Sequence, residues 1–474
     1  MRYPTVFFWL LSLALSAVAV RAQPAKPNII LILADDLGYG ELGSYGQKLI
    51  ATPVLDGMAA EGMRFTQFYA GNTVCAPSRS VLMTGQHTGH TRVRGNAGAA
   101  NSAAQTLRAG DVTVARVLQQ SGYRTGLVGK WGLGLIDEEG EPRKQGFDTY
   151  FGFLSQTQAH NNYPDFLWRD GKKIPLPNDI TRVGPVDGVG YSTKRLAYAG
   201  DLFAKEAIEF IAKNEARPFF LYLSVIVPHA NNERARALGD GNEVPDFGIY
   251  SDRPWNDSQK GHAAMITRLD TQIGELLAEL KRRGLDERTL VMFTSDNGPH
   301  EEAGAGYDPK FFDVCGPLTG LKRTLTEGGI RIPFIARWPG KIRGGAVSDH
   351  VGYFGDFLAT LAEMAGAKIP EGRDSISLLP TLLARGTQAK HPYLYWEFYE
   401  DGVSQAVLLD GRWKGIRLQR TTAPIQLYDL RRDIGEQFNL AAQNPEMVAR
   451  AADVMRTAHV DNEHWKIPAA AGRE

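Results

Sequence analysis

The sequence predicts an α/β protein with a large mixed, mostly parallel β-sheet flanked by helices, followed by a smaller C-terminal antiparallel α+β domain. Three observations predict this fold class. Apolar runs that end abruptly in polar residues alternate with segments whose apolar residues recur every three to four positions, as in parallel α/β sheets. After about residue 370 the runs become short and are separated by turn residues. The length of 474 residues allows one large core with a smaller companion domain.

Four apolar runs are predicted as strands buried on both faces, because they contain almost no polar residues. They cover residues 29–33, 125–129, 219–227 and 290–293. Ligands of open parallel sheets bind beyond the carboxyl ends of the strands. The polar residues that follow these runs should therefore meet at one edge of the sheet: Asp35, Asp36, Lys130, His229, Asp296 and Asn297.

The segments between these runs supply the predicted helices. Apolar residues at helical spacing mark residues 52–61, 111–121, 198–214 and 262–283, with Asp111 as the N-cap of the second helix. Two polar stretches, 161–191 and 230–259, are predicted as surface excursions near the ligand edge, where substrate selectivity often resides.

The C-terminal part is predicted as a small antiparallel sheet with one helix. Its strands are placed at 393–399, 405–409, 413–418 and 425–430, and its helix at 445–459. The predicted division of the chain is a signal peptide at 1–22, a main domain at 23–370 and a small domain at 371–474.

The first residues have the pattern of a secretory signal peptide. Arg2 precedes an apolar run at 6–20, and small residues at Ala17, Ala19 and Ala22 fit a cleavage site. An uncleaved anchor is the weaker alternative, because the run is shorter than the roughly 20 residues that cross a bilayer. We expect an exported, periplasmic or extracellular protein with no membrane span in the mature chain.

Charge and cysteine content exclude several classes of protein. Lys and Arg together number 53, as do Asp and Glu, so no net charge attracts nucleic acid or an anionic membrane. The chain contains only Cys75 and Cys315, so disulfides are not its main source of stability even in an oxidising compartment.

Two acidic motifs at the predicted sheet edge suggest a metal site. Asp35 and Asp36 follow one strand, and Asp296 and Asn297 follow another. Four oxygen side chains without His or Cys suit Ca²⁺ or Mg²⁺ and poorly suit Zn²⁺. The alternative is that these residues only form turns or helix N-caps.

The segment from Cys75 to Arg79 combines a nucleophile with an arginine, a proline and a hydroxyl just before a helical pattern at 80–84. A helix N-terminus at that point would attract an anion. The alternatives are a buried thiol or a disulfide with Cys315.

The chain resembles a type I sulfatase, an arylsulfatase-like member of the alkaline phosphatase superfamily. Cys-x-Pro-Ser-Arg at Cys75–Arg79, with Thr84-Gly85 after it, resembles the signature in which the cysteine is oxidised to formylglycine. Other matching motifs follow in the family's order: Asp35-Asp36-Leu37-Gly38-Tyr39-Gly40, Gly129-Lys130-Trp131, Pro228-His229, Ser295-Asp296-Asn297-Gly298 and Gly320-x-Lys322 with Glu327-Gly328-Gly329.

The resemblance implies an alkaline-phosphatase-like fold and a set of site residues. It implies Ca²⁺, in preference to Mg²⁺, on Asp35, Asp36, Asp296, Asn297 and an oxygen of modified residue 75. It also implies a formylglycine-generating enzyme as a maturation partner. By the same resemblance, Arg79 orients residue 75, Lys130 and Lys322 contact the sulfate, and His229 protonates the departing alcohol oxygen.

One residue departs from the family pattern. Sulfatases often have a histidine two residues after the motif lysine, where this chain has Gly132. In the family that histidine is thought to help deprotonate the sulfated hydrate. We take His160 as the candidate replacement, for which Gly132 would leave room. The alternatives are that His160 contacts sugar hydroxyls or only its own loop, or that water acts as the base.

The sequence thus predicts an exported sulfuric ester hydrolase that acts on a carbohydrate sulfate or aryl sulfate through a formylglycine made from Cys75. One alternative is a phosphoester or phosphonate hydrolase of the same fold, since another tetrahedral anion would suit a similar clamp. A second alternative is a sulfated-glycan binding protein that has lost turnover, which the missing histidine at Gly132 raises.

Overall fold

The computed structural model describes residues 26–97, 99–400 and 402–467, with no account of the side chains of 99–101. The predicted signal peptide at 1–22 lies outside the described residues. Within those residues, none of the helices combines the length and the apolar character needed to cross a bilayer.

The described residues form eighteen strands. In chain order they are β1 (Asn28–Asp35), β2 (Met63–Phe65), β3 (Phe68–Tyr69), β4 (Arg124–Lys130), β5 (Thr149–Phe153), β6 (Phe166–Arg169), β7 (Lys172–Pro175), β8 (Asp179–Arg182), β9 (Gly190–Lys194), β10 (Phe219–Pro228), β11 (Thr289–Ser295), β12 (Phe334–Arg337), β13 (Ala346–Ser348), β14 (Gly352–Tyr353), β15 (Tyr393–Phe398), β16 (Ser404–Leu409), β17 (Trp413–Arg417) and β18 (Gln426–Asp429).

Ten strands form the main sheet, in the order β13-β2-β12-β11-β1-β10-β4-β5-β6-β7. Its centre is parallel: β11, β1, β10, β4 and β5 all run in one direction. Antiparallel pairs join β12 to β11 and β2, and β6 to β5 and β7. The predicted mixed sheet with a parallel centre is confirmed.

Ten α-helices are described: α1 (Pro53–Glu61), α2 (Cys75–Thr84), α3 (Val114–Gln120), α4 (Ala199–Asn214), α5 (Asn232–Leu238), α6 (Asp257–Arg282), α7 (Glu327–Ile330), α8 (Asp356–Met364), α9 (Leu379–Leu382) and α10 (Pro445–Thr457). Helices α1, α4 and α6 share one apolar core with one face of the sheet, and α2, α3 and α8 share another with the opposite face. The sheet is therefore covered on both faces, as its uninterrupted apolar strands require.

Two helix starts differ from the prediction. Helix α3 begins after Thr113, whose Oγ1 accepts the Arg116 N–H at 3.1 Å, whereas Asp111 accepts a bond from Arg92 instead. Helix α6 begins earlier than predicted because Asn256 caps it, accepting the Gln259 N–H at 2.9 Å. A side-chain oxygen at the N-cap satisfies a backbone N–H that has no partner within the helix.

The stretch 161–191, predicted as a surface excursion, is more ordered than expected. Strands β6 and β7 within it extend the main sheet at one edge, and β8 pairs with β9 in a separate two-stranded sheet. Strands β7 and β8 each have three exposed residues and one half-buried residue, so they lack the apolar run that marks a central strand.

The C-terminal part contains an antiparallel four-stranded sheet in the order β15-β16-β17-β18, as predicted. Helix α10 packs against it through Ala451 and Met455. The other face of this sheet joins the core of the main domain, where Trp396 lies 5.5 Å from Tyr69 between ring centres. The boundary at 370/371 stays a prediction.

Candidate active site

The carboxyl ends of the parallel strands meet at one edge of the main sheet. Because Ala34 of β1 pairs with Ser295 of β11, the acidic residues that follow the two strands lie side by side. The Asp36 N–H donates to Asp296 Oδ1 at 3.1 Å, and the Asn297 side-chain N–H donates to Asp36 Oδ1 at 2.7 Å. The sequence-predicted convergence of the two acidic motifs is present.

Helix α2 brings its first residue, Cys75, to this edge. The Cys75 thiol lies 3.4 Å from Asp35 Oδ1. The Ser78 hydroxyl fixes the first turn of the helix by donating to the Asp296 backbone carbonyl at 2.5 Å. Both cysteines are free thiols, so the disulfide between Cys75 and Cys315 is not formed.

Arg79, one turn further along α2, connects the helix to three strands. Its guanidinium contacts Asp296 Oδ2 at 2.7 Å and donates to the Lys130 carbonyl at 3.1 Å. It also donates to the hydroxyl of Ser224 on β10. These contacts fix the start of α2, and with it Cys75, against the sheet edge.

Two buried lysines approach the carboxylates from different elements. Lys130, at the end of β4, places Nζ 2.6 Å from Asp35 Oδ2. Lys322, in the loop before α7, places Nζ 2.9 Å from Asp36 Oδ2 and 3.1 Å from His229 Nε2. All five of these ionisable side chains are almost fully buried.

Burial and these cations act against each other on the first two carboxylates. Burial alone would raise the pKa of Asp35, but Lys130 and His229 hold that pKa well below its ordinary value. Burial would likewise raise the pKa of Asp36, but the charge of Lys322 lowers that pKa below its ordinary value. Both side chains are therefore ionised acceptors at neutral pH.

Burial shifts the pKa values of other groups in the site toward their neutral forms. Burial raises the pKa of Asp296 to about 7, and the charge of Asp35 adds to the rise. Burial and the charge of Lys322 lower the pKa of His229 to about 3. Burial also raises the pKa of the Cys75 thiol well above its ordinary value. An unmodified thiol at this position is thus a poor nucleophile.

The carboxylate and amide oxygens of the site fit a hard divalent cation, since the Cys75 thiol is held neutral and both ring nitrogens of His229 already have partners. Ligand atoms of Asp35, Asp36, Cys75 and His229 all lie within 4.8 Å of one another. Asn297 Oδ1 is buried and has no hydrogen-bond partner among the described residues. Carboxylates crowded together beside an unpartnered amide oxygen suit Ca²⁺ or Mg²⁺.

His160 lies against His229, with ring centres 4.7 Å apart and planes within 12°. Its Nδ1 is 3.1 Å from Oε2 of Glu233, which lies in the first turn of α5. The side chain beside Gly132 is that of Gln156, so the space expected for His160 is filled by another residue.

The site opens into a cleft of about 370 Å³. Cys75, His160, His229 and Lys322 line its floor together with Gln156. Its other walls carry charged and amide groups, among them Glu138, Asn232, Arg236, Arg323 and Glu400. A polar, open cleft of this kind can accept a substrate with many hydroxyl groups.

Sequence reasoning missed Gln156, Glu233 and Glu302. Glu302 Oε2 lies 3.1 Å from Lys322 Nζ, and its other oxygen pairs with Arg323. None of the three directly follows a predicted strand. The one available signal for Gln156 was the segment 149–153, a short apolar run interrupted by glycine, which forms β5.

Comparison with known proteins agrees with this geometry. The Sulfatase family matches residues 27–367. The chain belongs to the sulfatase family. It is a sulfuric ester hydrolase of the alkaline-phosphatase-like fold. A second family, described as the C-terminal region of N-sulphoglucosamine sulphohydrolase, matches residues 320–459.

Two relatives cover nearly the whole chain. N-acetylgalactosamine-6-sulfatase of Canis lupus familiaris is 31% identical over 97% of this chain and 90% of its own length. Arylsulfatase A of Homo sapiens is 34% identical over 92% of this chain and 88% of its own length.

Two solved structures are similar to this chain over most of its length. Ps i-CgsB, solved in complex with k-i-k-neocarrahexaose, is 27% identical with a TM-score of 0.75 and covers 91% of this chain and 92% of its own. A phosphonate monoester hydrolase of Agrobacterium radiobacter is 20% identical, with a TM-score of 0.63, over 91% of this chain and 95% of its own. The latter likeness shows the fold alone.

Proposed function

We propose that the protein is an exported hydrolase of carbohydrate sulfate esters that uses a formylglycine made from Cys75. The observation that carries the proposal is the position of Cys75. Cys75 is the first residue of α2 and lines a polar cleft. Its thiol lies beside Asp35, among the buried cationic side chains described above. The similar proteins named for N-acetylgalactosamine-6-sulfate and solved with neocarrahexaose support a sugar substrate, while the likeness to arylsulfatase A keeps an aryl sulfate as the alternative.

The proposed resident groups are Ca²⁺ and the aldehyde of residue 75. Asp35, Asp36, Asp296 and Asn297 would hold the cation with an oxygen of residue 75, and the cation would neutralise charge on the sulfate. The hydrated aldehyde would supply one hydroxyl as nucleophile and a second that allows sulfate to leave. A formylglycine-generating enzyme is the proposed maturation partner.

The remaining roles follow from what each side chain contacts. Arg79 orients residue 75 by holding the first turns of α2 against the sheet edge. Lys130 and Lys322 lie beside the carboxylates, where their charges would stabilise the charge of a bound sulfate ester.

His229 and Lys322 would supply the proton for the departing oxygen. His229 Nδ1 donates to the Ala230 carbonyl at 2.6 Å, which leaves the Nε2 lone pair facing the Lys322 ammonium at 3.1 Å. A proton shared by this pair is available to an alkoxide leaving oxygen in the cleft.

His160 is proposed as the residue that helps sulfate leave, because it lines the cleft within stacking distance of His229. Donation of its Nδ1–H to the Glu233 carboxylate leaves Nε2 free to accept a proton. A base oriented by a carboxylate in this way is suited to deprotonating a hydroxyl.

The test uses the protein secreted together with a formylglycine-generating enzyme. Mass spectrometry of the peptide that contains residue 75 should show the thiol replaced by an aldehyde. The matured protein should release sulfate from some members of a panel of sulfated mono- and oligosaccharides, and chelation of divalent cations should abolish release. Cys75→Ala is the matched control and should be inactive. Full activity of the unconverted thiol, or of metal-free protein, would contradict the proposal.

A further inference from the structure

Gln156 has a buried amide and lines the same cleft as Cys75. It lies three residues after the end of β5, next to β4, which ends at Lys130. Backbone bonds continue past the paired strands, from Trp131 N to the Phe153 carbonyl at 2.9 Å and from Gly132 N to the Leu154 carbonyl at 3.1 Å. The position of Gln156 beside Gly132 is therefore fixed by the sheet.

Both polar atoms of the Gln156 amide are unsatisfied. Oε1 and Nε2 are buried, and neither has a hydrogen-bond partner in the part of the chain that the structure describes. A buried amide left unpaired has lost its hydrogen bonds to water without replacing them, which is unfavourable. Buried polar groups without partners call for an explanation, and a ligand that supplies the partner is one.

Gly132 makes the space that Gln156 occupies. A Cβ atom at position 132 would lie 2.1 Å from Gln156 Nε2 and 2.5 Å from Cδ. Gly132 also has φ +78°, a backbone conformation that disfavours residues with a side chain. The pair Gly132–Gln156 thus places an amide where any larger residue at 132 would exclude it.

We propose that Gln156 is a substrate-binding residue whose side-chain N–H donates a hydrogen bond to a sulfate oxygen. This inference rests on the proposed function. Gln156 and Cys75 line the same cleft, together with Lys322. Because both amide atoms lack partners, rotation of the amide by 180° breaks no hydrogen bond, so the side chain is free to take the orientation that turns its N–H toward the cleft.

An amide in this position can bind the sulfate group but cannot act as a general acid or base. It has no titratable proton at physiological pH, so it cannot act as the base that releases sulfate. That task stays with a titratable group, and His160 is separately held by Glu233. Gln156 therefore contributes to holding the sulfate group, with Lys130 and Lys322 as the charged partners.

The experiment compares Gln156→Ala and Gln156→Glu with wild type, using the full chain matured at residue 75. Binding of inorganic sulfate is measured by calorimetry, and kcat/KM is measured on a sulfated sugar. A hydrogen bond to a charged group is worth roughly tenfold to a hundredfold in affinity. Both variants should bind sulfate weaker by about that factor and lose kcat/KM by a similar or larger factor. The isosteric Gln156→Glu places a carboxylate against the anion and should lose at least as much as Gln156→Ala.

Gln443→Ala is the matched control, because Gln443 is an exposed glutamine that is not among the residues lining the cleft. It should keep sulfate affinity within twofold of wild type. Thermal unfolding of each variant separates loss of the ligand contact from loss of the fold, and Gln156→Glu preserves side-chain size if Gln156→Ala unfolds.

The outcomes separate this inference from the proposed function. Sulfate affinity and kcat/KM within twofold of wild type in both Gln156 variants would overturn the inference while hydrolysis stands. A wild-type protein that binds sulfate through Gln156 but hydrolyses no sulfate ester would overturn the proposed function alone. A wild-type protein that does not bind sulfate at all would overturn the assignment of Gln156.

Discussion

His229 and Lys322 illustrate how burial decides the chemistry of single residues. The histidine is neutral because burial and the neighbouring ammonium lower its pKa to about 3, so a free imidazolium is not the source of a proton at neutral pH. Burial opposes the effect of Asp36 on Lys322, whose pKa is nonetheless raised well above its ordinary value. The proton therefore resides on the lysine and reaches a leaving oxygen only through this close pair.

This arrangement predicts a leaving-group effect for His229→Gln. A sugar alkoxide needs a proton to leave, whereas a nitrophenolate does not, so the substitution should affect the two substrates unequally. We expect kcat/KM to fall by about 10²- to 10⁴-fold on a sugar sulfate and by much less on nitrophenyl sulfate. Steady-state kinetics on both substrates measures the ratio. His90→Gln, remote from the cleft, is the control, and equal losses on both substrates would contradict the prediction.

At the residue scale, the sequence predicted the side chains that follow apolar runs and missed those whose place depends on loops. Asp35 and Lys130 could be found because they end strands that read as buried. Gln156 and Glu302 could not, because loop segments carry no periodicity and their approach to the site is set by long-range packing. The departure at Gly132 was visible, but the residue that fills its space was not.

At the scale of elements, a buried ion pair connects β17 to α7. Lys414 Nζ lies 2.8 Å from Glu327 Oε1, and both side chains are fully buried. Glu327 also accepts the Tyr69 hydroxyl at 2.8 Å. The small sheet is thus joined to the helix that follows the Lys322 loop.

Removal of one member of this pair should leave a buried, uncompensated charge. Lys414→Ala should lower the free energy of unfolding by about 3–5 kcal/mol, measured by urea unfolding. Lys390→Ala, an exposed lysine, is the control and should be within about 0.5 kcal/mol of wild type. Neutralising both partners, in Lys414→Met with Glu327→Gln, should recover part of the loss. A change below 1 kcal/mol in Lys414→Ala would show that the pair is not buried as described.

Glu436, which lies beside the ion pair between β17 and α7, makes the stability of the protein depend on pH. Its Oε2 accepts the Glu327 N–H at 2.7 Å. Burial, opposed by Lys414 and aided by Glu327, raises the pKa of Glu436 from 4.5 to about 7. Because folding raises this pKa, protonation of Glu436 contributes fully to the stability of the folded state below pH 4.5. That contribution is lost as the pH rises through about 7.

Glu436→Gln should remove this dependence because the amide stays neutral. Unfolding free energies of wild type and variant are compared at pH 5 and pH 8. Wild type should lose stability relative to the variant over this interval, by on the order of 1 kcal/mol per unit of pKa shift. Exposed Glu446→Gln should track wild type at both values. Parallel profiles for wild type and Glu436→Gln would refute the assignment.

The elements themselves were predictable to different degrees. The central strands and the amphipathic helices α4 and α6 follow strong apolar patterns, so their existence was correctly predicted. The start of α6 was misplaced because the cap at Asn256 stands several residues ahead of the apolar pattern. Strands β7 and β8 were missed because most of their residues are exposed, and β6 and β9 were missed because each is too short to show a clear strand pattern.

At the scale of the whole molecule, the two sheets share one apolar core. One cluster contains residues of the main sheet and helices together with seven from the small sheet: Leu394, Trp396, Phe398, Ala406, Leu408, Ile416 and Tyr428. The apolar runs become shorter after about residue 370, so the sequence predicted two domains. It did not predict this shared core, because a contact between distant segments leaves no local pattern.

The shared core predicts that both sheets unfold in a single transition. Trp396 is fully buried, packs on Tyr69 and donates to the Ala70 carbonyl at 2.9 Å. Trp396→Ala should therefore destabilise the whole molecule by about 3–5 kcal/mol. The midpoint of urea unfolding, monitored by near-UV circular dichroism, should shift to a lower urea concentration. Loss of hydrogen-exchange protection in the β11 and β16 peptides should shift by the same amount. Phe438→Ala, at an exposed aromatic, is the control and should leave the midpoint unchanged. If β16 exchanged in an earlier, separate transition while β11 kept its wild-type protection, the small sheet would be an independent unit and the shared core would not couple the two.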